Sequence, residues 1–136
     1  MQVNQVMTAT VKVAQPEDSV RNIARSMAEL NAGVIPVTSE GEVIGMITDR
    51  DIVIRAIGAG LDPDSTTARD VMTAEVHFCY EDDDVEEVFQ SMSEWQIRRL
   101  PVFNLDKKLV GIVSLGDIAQ SAAASQAGET LRDIST

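Results

Sequence analysis

The sequence predicts a mixed α/β fold built from two copies of one unit. First, it contains an internal repeat: Val6-Met7-Thr8 recurs as Val71-Met72-Thr73, and Pro36-Val37 recurs as Pro101-Val102, each 65 positions later. Second, each copy alternates apolar residues first at strand period and then at helix period. Third, glycine, proline and acidic residues separate these segments. A repeat of this length is typical of a supersecondary unit that needs a partner to bury its apolar face.

The first half of each copy is predicted as a short strand followed by an amphipathic helix. In the first copy, Val11 and Val13 alternate with Lys12 at strand period. Residues 16–19 then supply an N-cap and first-turn acids, and Gly33 ends the helix. Apolar residues recur between them at helical spacing: Val20, Ile23, Met27 and Leu30.

The second half of each copy is predicted as a strand hairpin followed by a second helix. Residues 34–38 and 42–47 are rich in β-branched side chains and flank Ser39-Glu40-Gly41, which is a hairpin signal. Asp49 opens a helix that runs through Ile57. The second copy keeps this order with one residue inserted near 106–108, a change that a turn tolerates. The prediction is therefore β-α-β-β-α, twice.

The repeat divides the chain into four segments. Residues 1–59 form the first repeat, 60–69 a connector rich in glycine, proline and aspartate, 70–122 the second repeat, and 123–136 a C-terminal tail. The tail is expected to be frayed, with a docking helix as the alternative. Because a small unit with two amphipathic helices can hardly bury its apolar faces alone, we expect the two repeats to pack together with pseudo-two-fold symmetry.

Composition excludes several functions. The chain has 22 acidic against 11 basic residues and a net charge of −11, which disfavours binding to nucleic acid or to an anionic membrane surface. The single cysteine, Cys79, fits a reducing compartment, and no apolar run reaches membrane-spanning length. The N-terminus lacks the features of a signal peptide. A cytoplasmic location is expected.

Three recurring motifs resemble those of the CBS domain (cystathionine β-synthase type), paired as in a Bateman module. They are Asp70-Val71-Met72-Thr73, the strand Ile97-Arg98-Arg99-Leu100-Pro101-Val102, and Gly45-Met46-Ile47-Thr48-Asp49-Arg50-Asp51. The resemblance covers residues 1 to about 120. It implies a regulatory module, not an enzyme, that holds an adenosine-containing nucleotide in a cleft between the repeats.

The resemblance also implies where the ribose would bind. The matching residues are Thr48 with Asp51 and Ser114 with Asp117, since a carboxylate can accept hydrogen bonds from both ribose hydroxyls. Both pairs equally fit a helix capping box, in which they only satisfy backbone groups. The first motif is expected to bind more tightly, because Asp49 and Arg50 give it polar groups that the second motif lacks.

The remaining ligand contacts are assigned to strand residues and arginines. Apolar residues are expected to form the adenine side of the site, with core packing as their alternative role: Ile35, Pro36, Leu100 and Pro101. Arg99 is the first choice for a phosphate contact, with Arg98 or Arg50 as alternatives, because guanidinium binds phosphate bidentately. An exposed, solvated arginine is the other interpretation. The two sites cannot be equivalent, since Gly33-Val34 stands where the second repeat has Arg98-Arg99.

Metal sites are not predicted. His77 and Cys79 lie on one face of a predicted strand, but two ligands fall short of a zinc site. The acidic run 81–84 precedes an apolar helix, where acids ordinarily offset the helix dipole. Phe89 and Trp95 are assigned to the core or to a dimer contact.

The sequence therefore favours a nucleotide sensor over two alternatives. AMP, ADP or ATP is the expected ligand, with S-adenosylmethionine and NAD ranked lower, and the module is expected to form a homodimer and to act on an unidentified effector protein. The alternative is a scaffold of the same fold with an empty cleft that serves dimerisation or docking. An enzyme is disfavoured because the sequence has no P-loop, nucleophile elbow or paired catalytic acid and base.

Overall fold

A computed structural model describes residues 1–121 as parts of two compact units. One unit comprises Lys12–Val76. The other combines the N-terminal segment Met1–Val11 with the chain from His77 onward. The expected tail, residues 123–136, lies outside the described residues. The fold class is confirmed, since each unit contains a helix, an antiparallel strand pair and a second helix in the expected order.

The unit 12–76 is built on one long helix and one hairpin. Helix α1 (Val20–Leu30) is followed by strands β1 (Val34–Ser39) and β2 (Glu42–Thr48), which pair antiparallel. A short helix α2 (Asp49–Asp51) continues as a π-helical turn (Ile52–Ile57), and α3 (Ala68–Val71) closes the unit. Its core consists of the apolar faces of these elements, including Ile23, Met27, Ile35, Val37, Ile47, Ala56 and Val71.

The other unit repeats this plan with an added strand. The N-terminal segment forms a 3₁₀ turn (Val3–Gln5); β3 (Cys79–Tyr80), α4 (Val85–Trp95), β4 (Arg99–Phe103), β5 (Leu109–Ser114) and α5 (Leu115–Ala119) follow. The strand order is β3-β4-β5, with β3 parallel and β5 antiparallel to β4. Its core includes Val3, Val85, Phe89, Met92, Leu100, Val113 and Ile118.

The strand expected at residues 11–13 does not form. Only Ala14 bridges to β1: its N–H donates to the Pro36 carbonyl at 2.9 Å, and its carbonyl accepts from Thr38 at 2.8 Å. Pro16 follows two residues later and has no N–H to extend such a ladder. The equivalent residues 76–78 of the second repeat form no strand either; the two-residue strand β3 of that repeat is equivalent to residues 14–15.

Each unit incorporates the opening segment of the other sequence repeat. Thr8 pairs with Ile112 of β5 through hydrogen bonds of 2.8 and 3.0 Å, and Thr73 pairs in the same way with Met46 of β2. Glycine allows this close approach on each hairpin, because a Cβ on Gly111 would lie 2.8 Å from the Thr8 carbonyl oxygen and 2.7 Å from Met7 Sδ. A Cβ on Gly45 meets Met72 in the same way. The repeat boundaries predicted after residues 59 and 69 follow from the sequence duplication, and they remain predictions.

Candidate functional site

The predicted ribose-binding pair of the first repeat lies where β2 enters α2. The Asp51 N–H donates to Thr48 Oγ1 at 3.0 Å, and the Thr48 N–H donates to Asp51 Oδ2 at 2.9 Å. These two bonds form a complete capping box. The second carboxylate oxygen, Oδ1, lies 3.9 Å from Arg55 Nε, and the Asp51 side chain is 14% exposed. The capping interpretation therefore describes this pair in the structure.

The second pair has the same geometry and lies beside a cavity. Asp117 donates its N–H to Ser114 Oγ at 2.9 Å, and its Oδ2 accepts from the Ser114 N–H at 3.1 Å. Half-buried Asp117 borders an open cavity of about 440 Å³, together with Met1, Gln5, Val6, Gln120 and Ser121. Because the cap uses Oδ2, the remaining acceptor capacity of Oδ1 is available to a ligand.

Sequence reasoning missed the N-terminal residues that line this cavity. Gln5 and Val6 belong to the first repeat by sequence, yet they border Asp117 of the second repeat. The cause is the pairing of Thr8 with β5, which holds the N-terminal segment in this unit. The only signal in the sequence is indirect: Gly45 and Gly111, shared by the two repeats, mark the strands against which the opening segments pack.

The arginines distinguish the two helix starts. Arg99 is the cross-strand neighbour of Ser114, and the Arg98 carbonyl accepts the Leu115 N–H at 2.9 Å. The side chains of Arg98 and Arg99 are exposed. Two exposed arginines are therefore the backbone neighbours of the α5 start within its own unit.

The start of α2 has a different environment. Val34 is the neighbour of Thr48, and the Gly33 carbonyl accepts the Asp49 N–H at 3.0 Å. A Cβ on Gly33 would lie 3.2 Å from Asp49 Oδ2, so a carboxylate lies close to this position, and exposed Arg50 donates its N–H to Asp49 Oδ1 at 2.8 Å. With Arg55 beside Asp51, two carboxylates and two arginines lie at this helix start, where the other has two arginines and one carboxylate.

The residues assigned to the adenine side are buried. Ile35 and Leu100 are 2% and 1% exposed and belong to the cores of their units, and Pro36 and Pro101 are buried beside them. Ile35 also lines a depression of about 250 Å³ whose other lining residues include Lys12, Asp18, Asn22 and Ser26. Core packing is thus the role of Ile35 and Leu100 in the structure.

The candidate metal ligands do not converge. His77 stacks on Trp95 with ring centroids 4.3 Å apart, whereas Cys79 is buried with Sγ 3.9 Å from the Pro101 carbonyl. Burial, with a smaller contribution from the Asp83 charge, raises the pKa of the Cys79 thiol to about 12, so the thiol is a poor nucleophile at neutral pH. Within residues 1–121, no group of three or more potential ligands is close enough to hold a metal ion.

The acidic run has structural roles. Asp83 Oδ2 accepts the Tyr80 N–H at 2.8 Å, and Asp84 Oδ1 accepts the Glu86 N–H at the start of α4. Phe89 is a core residue at 2% exposure, and Trp95 is 38% exposed. In the part of the chain that is described, no helix is long and apolar enough to cross a membrane.

Two α/β units, each with a hydroxyl-carboxylate pair at a helix start, define a duplicated strand-helix module. The chain belongs to the CBS domain family: the family model for the CBS domain matches residues 3–58 and again 68–124. The resemblance drawn from the motifs is confirmed.

Individual relatives extend over nearly the whole chain. Uncharacterized protein YlbB of Bacillus subtilis is 41% identical in an alignment of 136 positions that covers 98% of this chain and 90% of that protein. The solved structure of Hypoxic Response Protein I, with two coordinated zinc ions, has a TM-score of 0.80 and 33% identity, and the match covers 88% of this chain and 98% of that one.

A third relative carries adenosine compounds. The CBS domain pair of protein MJ0100 was solved in complex with 5′-methylthioadenosine and S-adenosyl-L-methionine. It matches with a TM-score of 0.77 and 26% identity over 95% of this chain and 98% of that one.

Proposed function

We propose that this chain is a cytoplasmic regulatory module that binds an adenosine-containing ligand and passes the binding signal to another protein, without catalysing a reaction. Family membership and the adenosine compounds bound by the MJ0100 domain pair support this proposal. The observation that carries it is local: each repeat fixes a carboxylate at a helix start by two hydrogen bonds to a hydroxyl residue. A carboxylate held in this way is preorganised to accept the two hydroxyls of a ribose.

The two helix starts would select different ligands. A phosphate-bearing ligand such as AMP, ADP or ATP is favoured beside Asp117, because exposed Arg98 and Arg99 flank Ser114 there. At the start of α2, Arg50 and Arg55 only balance the carboxylates of Asp49 and Asp51, so phosphate gains less there and an uncharged or cationic adenosine compound is favoured by comparison. S-adenosylmethionine, with its sulfonium, belongs to that class. For phosphate-bearing ligands this reverses the order expected from sequence, which ranked the first motif higher.

We expect Arg99→Val to weaken ATP binding by about 10-fold or more, since a hydrogen bond to a charged group contributes roughly 1.5 to 3 kcal/mol. Valine is the residue that the first repeat carries at this position, Val34, so the fold accommodates it. Isothermal titration with ATP and with 5′-methylthioadenosine measures the change. Binding of 5′-methylthioadenosine, which has no phosphate, should change less than threefold, and equal losses for both ligands would contradict the assignment.

We further propose that the module is a homodimer whose contact includes the π-helical turn. Val53, Ile54 and Ile57 are 60%, 53% and 56% exposed. The only charged residue of this turn, Arg55, donates to the carbonyls of Val71 and Met72, which draws its guanidinium toward the end of α3. Two acidic copies repel each other least where they meet on an uncharged apolar face.

The second repeat supplies variants for a test of the dimer. Ala119 and Gln120 occupy the positions equivalent to Val53 and Ile54, so the double change V53A/I54Q is compatible with the fold. We expect the parent protein to sediment as a dimer and this variant to shift toward the monomer. Leu105→Gln, a change at an 80% exposed residue outside the turn, should leave the dimer intact. A monomeric parent at tens of micromolar, or an unchanged variant, would refute this contact.

A scaffold that binds no ligand is the second candidate. The observation in its favour is that both capping boxes are complete in themselves, so Asp51 and Asp117 have a structural role that needs no ribose. This candidate predicts the same dimer and the same stability as the sensor. It differs only in the absence of any response to adenosine compounds.

A further inference from the structure

The second repeat carries an exposed apolar surface formed by Phe78, Tyr80, Phe103 and Leu105. The Phe78 ring packs edge-on against Tyr80 and Phe103, with ring centroids 5.5 and 5.2 Å apart. Phe78 is 43% exposed and Leu105 is 80% exposed, while Tyr80 and Phe103 are half-buried. We call these four residues the aromatic surface. Tyr80 and Phe103 end the adjacent strands β3 and β4, Phe78 directly precedes β3, and Leu105 lies in the turn that follows β4.

The fold itself does not require this surface. At the equivalent positions, 65 residues earlier, the first repeat carries Val13, Gln15, Thr38 and Glu40. The first repeat nevertheless forms the same helix and hairpin. A face that folds with glutamine, threonine and glutamate in one copy does not need three aromatic rings and a leucine in the other. Exposed aromatic residues without a folding role are typical of contact surfaces.

Carboxylates border the aromatic surface. A cavity of about 300 Å³ is lined by Asn104, Leu105 and three acids, Glu81, Asp82 and Asp106. The Glu81 N–H donates to the Phe103 carbonyl at 2.9 Å, which connects the acidic side to the aromatic side. Lys107 and Lys108 follow in the same turn but do not line the cavity. The immediate surface thus combines aromatic rings with negative charge.

We infer that the aromatic surface docks a segment of a partner protein in which basic and aliphatic residues alternate. Aliphatic side chains would cover Phe78 and Leu105, and arginine or lysine would pair with Glu81, Asp82 and Asp106 or lie over the rings. The net charge of −11 favours a basic partner over a second copy of this chain at an acidic rim. The assignment goes beyond ligand binding and does not depend on it.

A labelled synthetic peptide that alternates arginine and leucine tests the inference by fluorescence anisotropy. The decisive variant exchanges all four residues for those of the first repeat, F78V/Y80Q/F103T/L105E. We expect the parent to bind the peptide and the variant to bind at least about tenfold more weakly. Since the variant is one charge more acidic than the parent, general electrostatic attraction would strengthen its binding, so a loss must come from the surface itself.

Control peptides and variants distinguish the expected docking from other causes of binding or of its loss. A peptide that alternates glutamate and leucine should not bind the parent, and the triple change E81Q/D82N/D106N should weaken binding of the basic peptide. A melting temperature of the fourfold variant close to that of the parent confirms that it folds. The inference is overturned if the parent does not bind the basic peptide or the folded variant binds it equally well. It is also overturned if the fourfold change only dissociates a dimer of the parent, which would identify a second copy as the occupant.

Discussion

Val3→Asp is expected to destabilise the unit that contains the second repeat, although Val3 belongs to the first repeat by sequence. Val3 is 0% exposed and lies in one core with Val85, Phe89 and Leu100. An unpaired carboxylate buried there destabilises a fold by about 3 to 5 kcal/mol. For a domain of this size that corresponds to a fall in melting temperature of about 10 to 20 °C.

The single tryptophan makes this effect observable in one unit. Trp95 ends α4, in the unit that combines residues 1–11 with the second repeat, so its fluorescence reports on that unit. Asn4→Asp introduces the same charge at the neighbouring exposed position and should change the midpoint by no more than a few degrees. Equal midpoints for the two variants, or a Trp95 transition that Val3→Asp leaves unchanged, would contradict the placement of Val3 in the core of the second repeat.

Sequence reasoning recovered most of the helices and strands but did not show that residues 1–11 pack in one unit with the second repeat. The helix over residues 20–30, the hairpin around Gly41 and the duplication follow from local signals: an N-cap at Ser19, β-branched runs and a shared register of motifs. The pairing of Thr8 with Ile112 is a contact between distant parts of the chain, and no local propensity reports it. The absence of a strand at residues 11–13 was also not predictable from local signals, because a strand needs a hydrogen-bonded partner along its length.

The candidate site shows the same division between local and tertiary information. Both capping boxes were predictable from Thr48-x-x-Asp51 and Ser114-x-x-Asp117, since a helix start depends on residues three positions apart. The proximity of Arg99 to Ser114 depends on strand register, and the cavity at Asp117 depends on the N-terminal segment. Spacing alone therefore identified the carboxylates but could not rank the two positions.

An asparagine substitution can separate the capping role of each carboxylate from its role in ligand binding. Asparagine in place of Asp51 or Asp117 keeps a side-chain oxygen that can accept the capping hydrogen bond and removes the charge that favours a ribose. Such a change separates the two roles of the residue. Asp117→Asn should leave the melting temperature of the unliganded protein within a few degrees of the parent.

The measurement that most directly tests the sensor function is the melting temperature of the parent, Asp51→Asn and Asp117→Asn in a series of adenosine compounds. A ligand present at 100 times its dissociation constant stabilises the folded state by about 2.7 kcal/mol, which corresponds to a rise of about 5 to 15 °C. We predict that rise for the parent with millimolar AMP, ADP or ATP, and a much smaller rise for Asp117→Asn at unchanged basal stability. If AMP, ADP, ATP, S-adenosylmethionine and NAD all fail to shift the parent, the sensor function is contradicted and the ligand-free scaffold is the correct account.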